Sequence, residues 1–278
     1  MKELIQEGLM LDNDINHEDR HLKIKNFKKG VYILPNLITS ASLFGGFYAI
    51  VAAFDGNYRN AAIAILISAV LDGLDGRVAR LTGSTSKFGV EYDSLSDLVA
   101  FGLAPGILIF TWALRPFGRY GWLAAFLYVV CGALRLARFN VQINTIESKR
   151  FSGLPIPAAA ALVATTVLLF FEIGMGQEMA KHITVLAMVY ILAFLMISNV
   201  KFYSFKQMNT TQRMPFKLLV GLILLFIVVA AHPTYMLFAL ALAYVISGPI
   251  TTLIDRRKRQ PIRVVPNEAD KGHPGVKR

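Results

Sequence analysis

LDGLDGRVARLTGSTSKFGVEYDSLSD, residues Leu71–Asp97, is the stretch on which the architecture turns. Twelve uncharged residues, Asn60–Leu71, lead into it, and seventeen more, Leu98–Leu114, follow it. Asp72, Asp75, Asp93 and Asp97 therefore stand at the edges of two runs apolar enough for hydrocarbon. Carboxylates at such depth are costly, face protein or water rather than lipid, and mark function.

The rest of the chain agrees with a membrane setting. Of its 278 residues 55% are hydrophobic, and the mean hydropathy of +0.50 exceeds that of an ordinary soluble domain. Charge-poor runs able to span about 30 Å of hydrocarbon fall near 32–54, 58–78, 93–114, 121–139, 154–172, 183–200, 216–232 and 234–254. The fold expected is all-α, a polytopic transmembrane helix bundle of six core spans plus a C-terminal helical hairpin, eight spans in all. Only His232, Pro233 and Thr234 separate the last two runs, and Pro233 suits a tight turn there.

The chain divides accordingly into an N-terminal arm (1–31), a core helix bundle (32–200), a loop with two further spans (201–254) and a basic tail (255–278). HLKIKNFKKGVYILPN, which leads into the first span, mixes basic and apolar residues. It reads equally as a helix lying on the membrane surface and as a plain basic flank. The single cysteine, Cys131, excludes an internal disulfide. Polar residues fill positions 1–30 and the first apolar run has no small-residue cleavage pattern, so no signal peptide is expected.

A net charge of +11 would suggest nucleic acid for a soluble protein. Topology explains it instead. With eight spans and the N-terminus inside, 25 of the 29 Lys and Arg residues fall on the cytoplasmic side, leaving Arg59, Arg115, Arg119 and Lys181 outside. Both termini are expected in the cytoplasm, no nucleic-acid partner is implied, and the basic tail is placed to meet anionic headgroups. A homodimer is compatible with the sequence, which contains no pattern that decides it.

In this topology the second span ends and the third begins on the cytoplasmic side. Spacings of three and four residues put Asp72 with Asp75, and Asp93 with Asp97, on one helical face each. Four converging carboxylates repel one another unless a cation neutralises them, and oxygen-only ligands favour Mg²⁺, Mn²⁺ or Ca²⁺ over zinc. Gly73, Gly76 and Gly89 leave room for a substrate against the backbone, and Arg80, one turn from Gly76, is placed for phosphate oxygens. In PNLIT, which opens the first span, Pro35 suits a first helical turn and Asn36 can cap it or bind a ligand.

Asp72, Asp75, Gly76, Ala79, Arg80, Gly89, Asp93 and Asp97 match every fixed position of D-x2-D-G-x2-A-R-x8-G-x3-D-x3-D. The segment thereby resembles the CDP-alcohol phosphotransferases, integral membrane enzymes that displace CMP from a CDP-linked lipid or alcohol. The resemblance implies two divalent ions, Mg²⁺ or Mn²⁺, bound by Asp72, Asp75 and Asp93 and shared with Asp97, and it implies Asp97 as the base. It also implies a CDP-diacylglycerol site that includes Gly76, Ala79, Arg80, Gly89, Asn36 and Thr39. One carboxylate free to accept the acceptor's proton suffices for direct displacement, with no serine nucleophile.

GALRLARFNV, FSGLPIPAAA, PNLIT and SNVKFYSFK resemble the serine-using, membrane-embedded bacterial subgroup of that family. The likeness covers roughly residues 31–206 and implies L-serine as acceptor, phosphatidylserine and CMP as products, and the bacterial cytoplasmic membrane as location. Arg135 and Arg138 end the fourth span near the level of the aspartates and can hold the acceptor's carboxylate. Glycerol 3-phosphate would suit them too. An intramembrane prenyltransferase would need two well-separated aspartate-rich motifs. A cation transporter would need an acidic path continuing through spans four to eight, which the sequence lacks.

Overall fold

The computed structural model describes residues 34–83, 86–143, 153–174, 183–200, 202, 221 and 230–258. All regular structure among them is helical. The helices are α1 (Leu34–Phe54), α2 (Tyr58–Leu81), α3 (Lys87–Phe117), α4 (Arg119–Ile143), α5 (Ile156–Glu172), α6 (Ile183–Ile197) and α7 (Pro233–Lys258). The N-terminal arm, most of the expected seventh span and the basic tail beyond 258 lie outside the described residues.

Length and composition let four of these helices cross a membrane: Leu34–Phe54, Lys87–Phe117, Arg119–Val141 and Pro233–Ile254. At 1.5 Å per residue, the 21 residues of α1 rise about 31 Å, the thickness of the hydrocarbon core. Helices α5 and α6 are apolar but shorter. Helix α2 has 24 residues, enough to span, yet carries Arg59, Asp72, Asp75, Arg77 and Arg80. Leu37, Phe44, Phe47 and Phe54 of α1 are exposed, as are Phe126 of α4 and Leu240 of α7. In a membrane protein such faces belong to lipid.

Small residues let the first three helices close on one another. Ser42 of α1 donates to the Ser68 carbonyl of α2 (3.1 Å), and Ser68 Oγ lies 3.0 Å from the Ser42 carbonyl in return. A Cβ built on Gly46 would lie 2.6 Å from Cα of Ala100, so α1 can meet α3 only through glycine there. Ser96 of α3 adds a bond to the Thr39 carbonyl (3.2 Å). Tight packing of this kind replaces the hydrophobic driving force that lipid removes. These contacts run α1 antiparallel to α2 and parallel to α3.

Helix α3 begins at Lys87, six residues before the expected start of the third span, because Ser86 caps it by accepting from the Gly89 amide (2.9 Å). It also widens into π-helical turns at Leu98–Leu103 and Phe110–Leu114. Pro105 accounts for the first: it has no N–H to offer the carbonyl four residues back, that of Phe101. Tyr128 of α4 supplies a donor to that carbonyl instead (3.1 Å). Tyr58 of α2 likewise reaches the Thr111 carbonyl in the second wide turn (3.3 Å).

Helix α5 is the central element, buried from Ile156 through Val167 along its inner face and packed between α2 and α7. Gly153, at φ +90°, turns the chain into it. Its amide donates to the Val200 carbonyl (2.9 Å), Leu154 N donates to the Leu195 carbonyl (3.0 Å), and a side chain at 153 would strike the Met196 carbonyl. The start of α5 is thereby fastened to the end of α6.

Candidate active site

The start of α1, the end of α2, the first turns of α3 and the end of α4 meet at one level of the bundle. Carboxylate oxygens of Asp72, Asp75 and Asp93 lie there within 4.8 Å of one another. Asp75 is buried, and Thr39 Oγ1 donates to its Oδ2 (2.8 Å) with the Pro35 carbonyl as the competing acceptor (3.0 Å). Asp97, on the same face of α3 as Asp93, is in hydrogen-bond contact with Asp72 and feels the charges of Asp93 and Asp75. All four expected aspartates are thus brought together by two helices.

Like charges about 4 Å apart repel by roughly 4 kcal/mol at an effective dielectric near 20. Three at that spacing demand a counter-charge. The ligand set is entirely oxygen, which fits a hard divalent cation and does not suit zinc.

The other expected residues separate into groups. Gly73 and Gly76 face open space, where an added Cβ would meet nothing within 4 Å, as a substrate-facing surface requires. Gly89 is closed in: a Cβ there would lie 3.1 Å from Ser86 Oγ and 3.5 Å from Asn36 Oδ1. Asn36 therefore abuts the first turn of α3 at Gly89. Arg80 is exposed and folds back so that Nε donates to the Gly76 carbonyl (2.8 Å), which engages one of the five guanidinium N–H groups. Ala79, next to it, is half-buried.

Arg135 and Arg138 part company. Arg135 lies within electrostatic range of Asp97, and its Nε is shielded from solvent with no hydrogen-bond partner among the described residues. A buried cationic N–H without an acceptor is costly, and an anionic ligand would remove that cost. Arg138, nearly one helical turn onward, donates from Nη2 to Asn199 Oδ1 (3.0 Å). Of this pair, Arg135 is the one with an electrostatic link to Asp97.

Several residues of this level escaped the reading of the sequence. Asn140 of α4 donates to Ser94 Oγ (3.0 Å) and to Glu91 Oε2 (3.4 Å), bracing the carboxylate-bearing turns of α3. Ser40 of α1 pairs with Tyr92 Oη (2.8 Å). Asn199 and Tyr244 complete the set. Polar side chains inside apolar runs were the available signal, as in ARFN and ALAY.

Fold and site together define an integral membrane enzyme with a carboxylate centre suited to a divalent metal and an arginine beside it. The CDP-alcohol phosphatidyltransferase family model matches residues 32–197, and the chain belongs to that family. It is 41% identical over 197 residues to a CDP-diacylglycerol–serine O-phosphatidyltransferase of Helicobacter pylori, a match covering 71% of this chain and 83% of the relative. An archaetidylserine synthase of Methanothermobacter thermautotrophicus is 38% identical over 171 residues, 61% of this chain and 69% of its own. A CDP-diacylglycerol–serine O-phosphatidyltransferase of Mycobacterium leprae is 40% identical over 149 residues, 52% of this chain and 49% of its own.

Proposed function

We propose that this protein transfers the phosphatidyl group of CDP-diacylglycerol to the hydroxyl of L-serine, forming phosphatidylserine and CMP. The observation that carries the reading is the clustering of Asp72, Asp75 and Asp93 with Asp97 beside them and Arg135 within electrostatic range of Asp97. The names of the relatives in Helicobacter and Methanothermobacter, both serine-linked, support serine as the acceptor.

Divalent cations, two Mg²⁺ or Mn²⁺ ions in this reading, would be held by the three clustered aspartates with Asp97 adjoining, and would neutralise the diphosphate and the departing CMP. Arg80 and the open backbone at Gly73 and Gly76 receive the donor's phosphates, with Asn36 and Thr39 closing that side from α1. Arg135 holds the serine carboxylate and so orients its hydroxyl toward Asp97. The serine oxygen bonds to the phosphorus that carries diacylglycerol as the bond from that phosphorus to the CMP oxygen breaks, and the hydroxyl proton passes to Asp97.

Purified protein offered CDP-diacylglycerol with radiolabelled serine or glycerol 3-phosphate at equal concentration should label phosphatidylserine in preference. Product from glycerol 3-phosphate alone would reject serine while keeping the family's reaction.

The proposed topology has six core spans and a C-terminal hairpin in the bacterial cytoplasmic membrane, with the site and both termini in the cytoplasm. Its support is the distribution of basic residues, 25 of 29 on that side. Thr82, exposed just past the end of α2, offers the check. Once the buried Cys131 is replaced, a Thr82→Cys variant in sealed vesicles should react with an impermeant maleimide only from the cytoplasmic side. Labelling from the opposite side alone would invert the topology and the site with it.

A further inference from the structure

Helix α1 carries no carboxylate, yet its polar residues are bonded beside three of the four aspartates. Thr39 Oγ1 lies 2.8 Å from Asp75 Oδ2 on α2. Ser96, the residue before Asp97, donates to the Thr39 carbonyl (3.2 Å), and Tyr92, the residue before Asp93, pairs through Oη with Ser40 Oγ (2.8 Å). Of these, Thr39 touches a clustered carboxylate itself. Thr39 and Asp75 are each only 5% exposed, so solvent cannot readily stand in for either partner. The Thr39 rotamer that brings Oγ1 within 3.0 Å of the Pro35 carbonyl, the back-bond of a helical threonine, is the one that aims it at α2. The hydroxyl has one proton for two acceptors, and the anionic carboxylate is the stronger of them.

Resting on the metal reading above, we infer that Thr39 is a positioning residue of the metal centre: its hydroxyl fixes the rotation of the Asp75 carboxylate, so that the cluster with Asp72 and Asp93 is set before a cation arrives. The torsion that turns an aspartate carboxylate is broad and nearly two-fold, which leaves its oxygens loosely placed without a donor. A donor on Oδ2 sets that plane and leaves the other lone pairs to the cation. Thr39 also holds α3 through its carbonyl, so one residue of α1 registers the two carboxylate-bearing helices against each other. Hydrogen-bond partners of metal ligands are worth about 10- to 100-fold in metal affinity. The start of α1 thereby serves the cation as well as the proposed donor site.

The readout is Mn²⁺ binding by the purified full chain in detergent with no lipid substrate present, followed through the EPR signal of free Mn²⁺. Thr39→Val keeps the shape of the side chain, removes the hydroxyl and should raise the Kd for Mn²⁺ about tenfold. Thr39→Ser restores the hydroxyl and should bring the Kd back to within about threefold of the unaltered protein. Ser42→Ala removes a bond between α1 and α2 at Ser68 without touching a carboxylate, and should leave the Kd within about twofold. If Thr39→Val fails to fold, Thr39→Ala removes the same hydroxyl and is judged by the same rise. An unchanged Kd, a rise that serine fails to reverse, or an equal rise in Ser42→Ala would each overturn the proposal. An unchanged Kd joined to a raised KM for CDP-diacylglycerol would leave Thr39 a donor contact alone. Should the unaltered protein bind no Mn²⁺, the metal reading itself falls and takes the role of Thr39 with it, an outcome distinct from a normal Kd in the variant.

Discussion

Asp93→Asn should bring CMP release from CDP-diacylglycerol down by at least about three orders of magnitude, toward the rate without enzyme, since several kcal/mol of charge stabilisation is at stake. The reason is the spacing of the cluster. Three carboxylate oxygens within 4.8 Å are a cation site only while all three are anionic. An amide at 93 keeps the shape of the side chain, removes one charge, and leaves the hydrogen bond from Thr39 to Asp75 intact. Asp72→Asn and Asp75→Asn should be equally severe, and excess chelator should silence the unaltered protein until Mg²⁺ or Mn²⁺ is restored. CMP release by purified protein across a metal titration is the measurement. A normal rate for Asp93→Asn, or full activity in chelator, would remove the metal centre from the mechanism.

Asp97→Asn should behave differently. It should lower kcat by about 10²- to 10⁴-fold, the range of general-base loss, with binding of CDP-diacylglycerol retained. Asp97 stands beside the cluster, in hydrogen-bond contact with Asp72 and within electrostatic range of Arg135, where the acceptor's hydroxyl is proposed to arrive. Retention of labelled CDP-diacylglycerol by the variant, set against its rate, separates the two roles. If donor binding vanishes together with turnover, Asp97 is mainly a ligand and the proton must go elsewhere.

How much of this could be read from residues alone differs from place to place. The carboxylates could, because intervals of three and four residues fix a helical face whatever the helix packs on. The convergence of Arg138, Gly153 and Asn199 was only half legible: the stretches that contain them were recognisable, but their meeting depends on the bond from Gly153 to Val200 and on the register of α4 against α6. Thr39 is expected at the donor lipid, and the structure adds its bond to Asp75, a tertiary contact across 36 residues that no local pattern encodes. Arg138 shows the converse, for its spacing from Arg135 suggested a shared task and its actual partner, Asn199, lies 61 residues away. Helix α3 starts before the charge-poor run that marks its span, because Ser86 caps it through chemistry that hydropathy does not see.

The wide turn at Leu98–Leu103 bears on how α3 can vary. One extra residue per turn shifts the angular phase of everything before it relative to everything after it, by roughly 100° for each residue of an α-helix. The half of α3 that bears Asp93 and Asp97 is therefore aimed independently of the half that fills the core with Leu108, Ile109 and Trp112. Side chains between Asp97 and Pro105 can be exchanged for others of similar volume, but their number cannot change. A single residue gained or lost there would leave a continuous helix of nearly the same length, still spanning, with its two carboxylates turned away from α2. In this part of the molecule the count of residues is the constraint, and a comparison of relatives should find substitutions here far more readily than gaps.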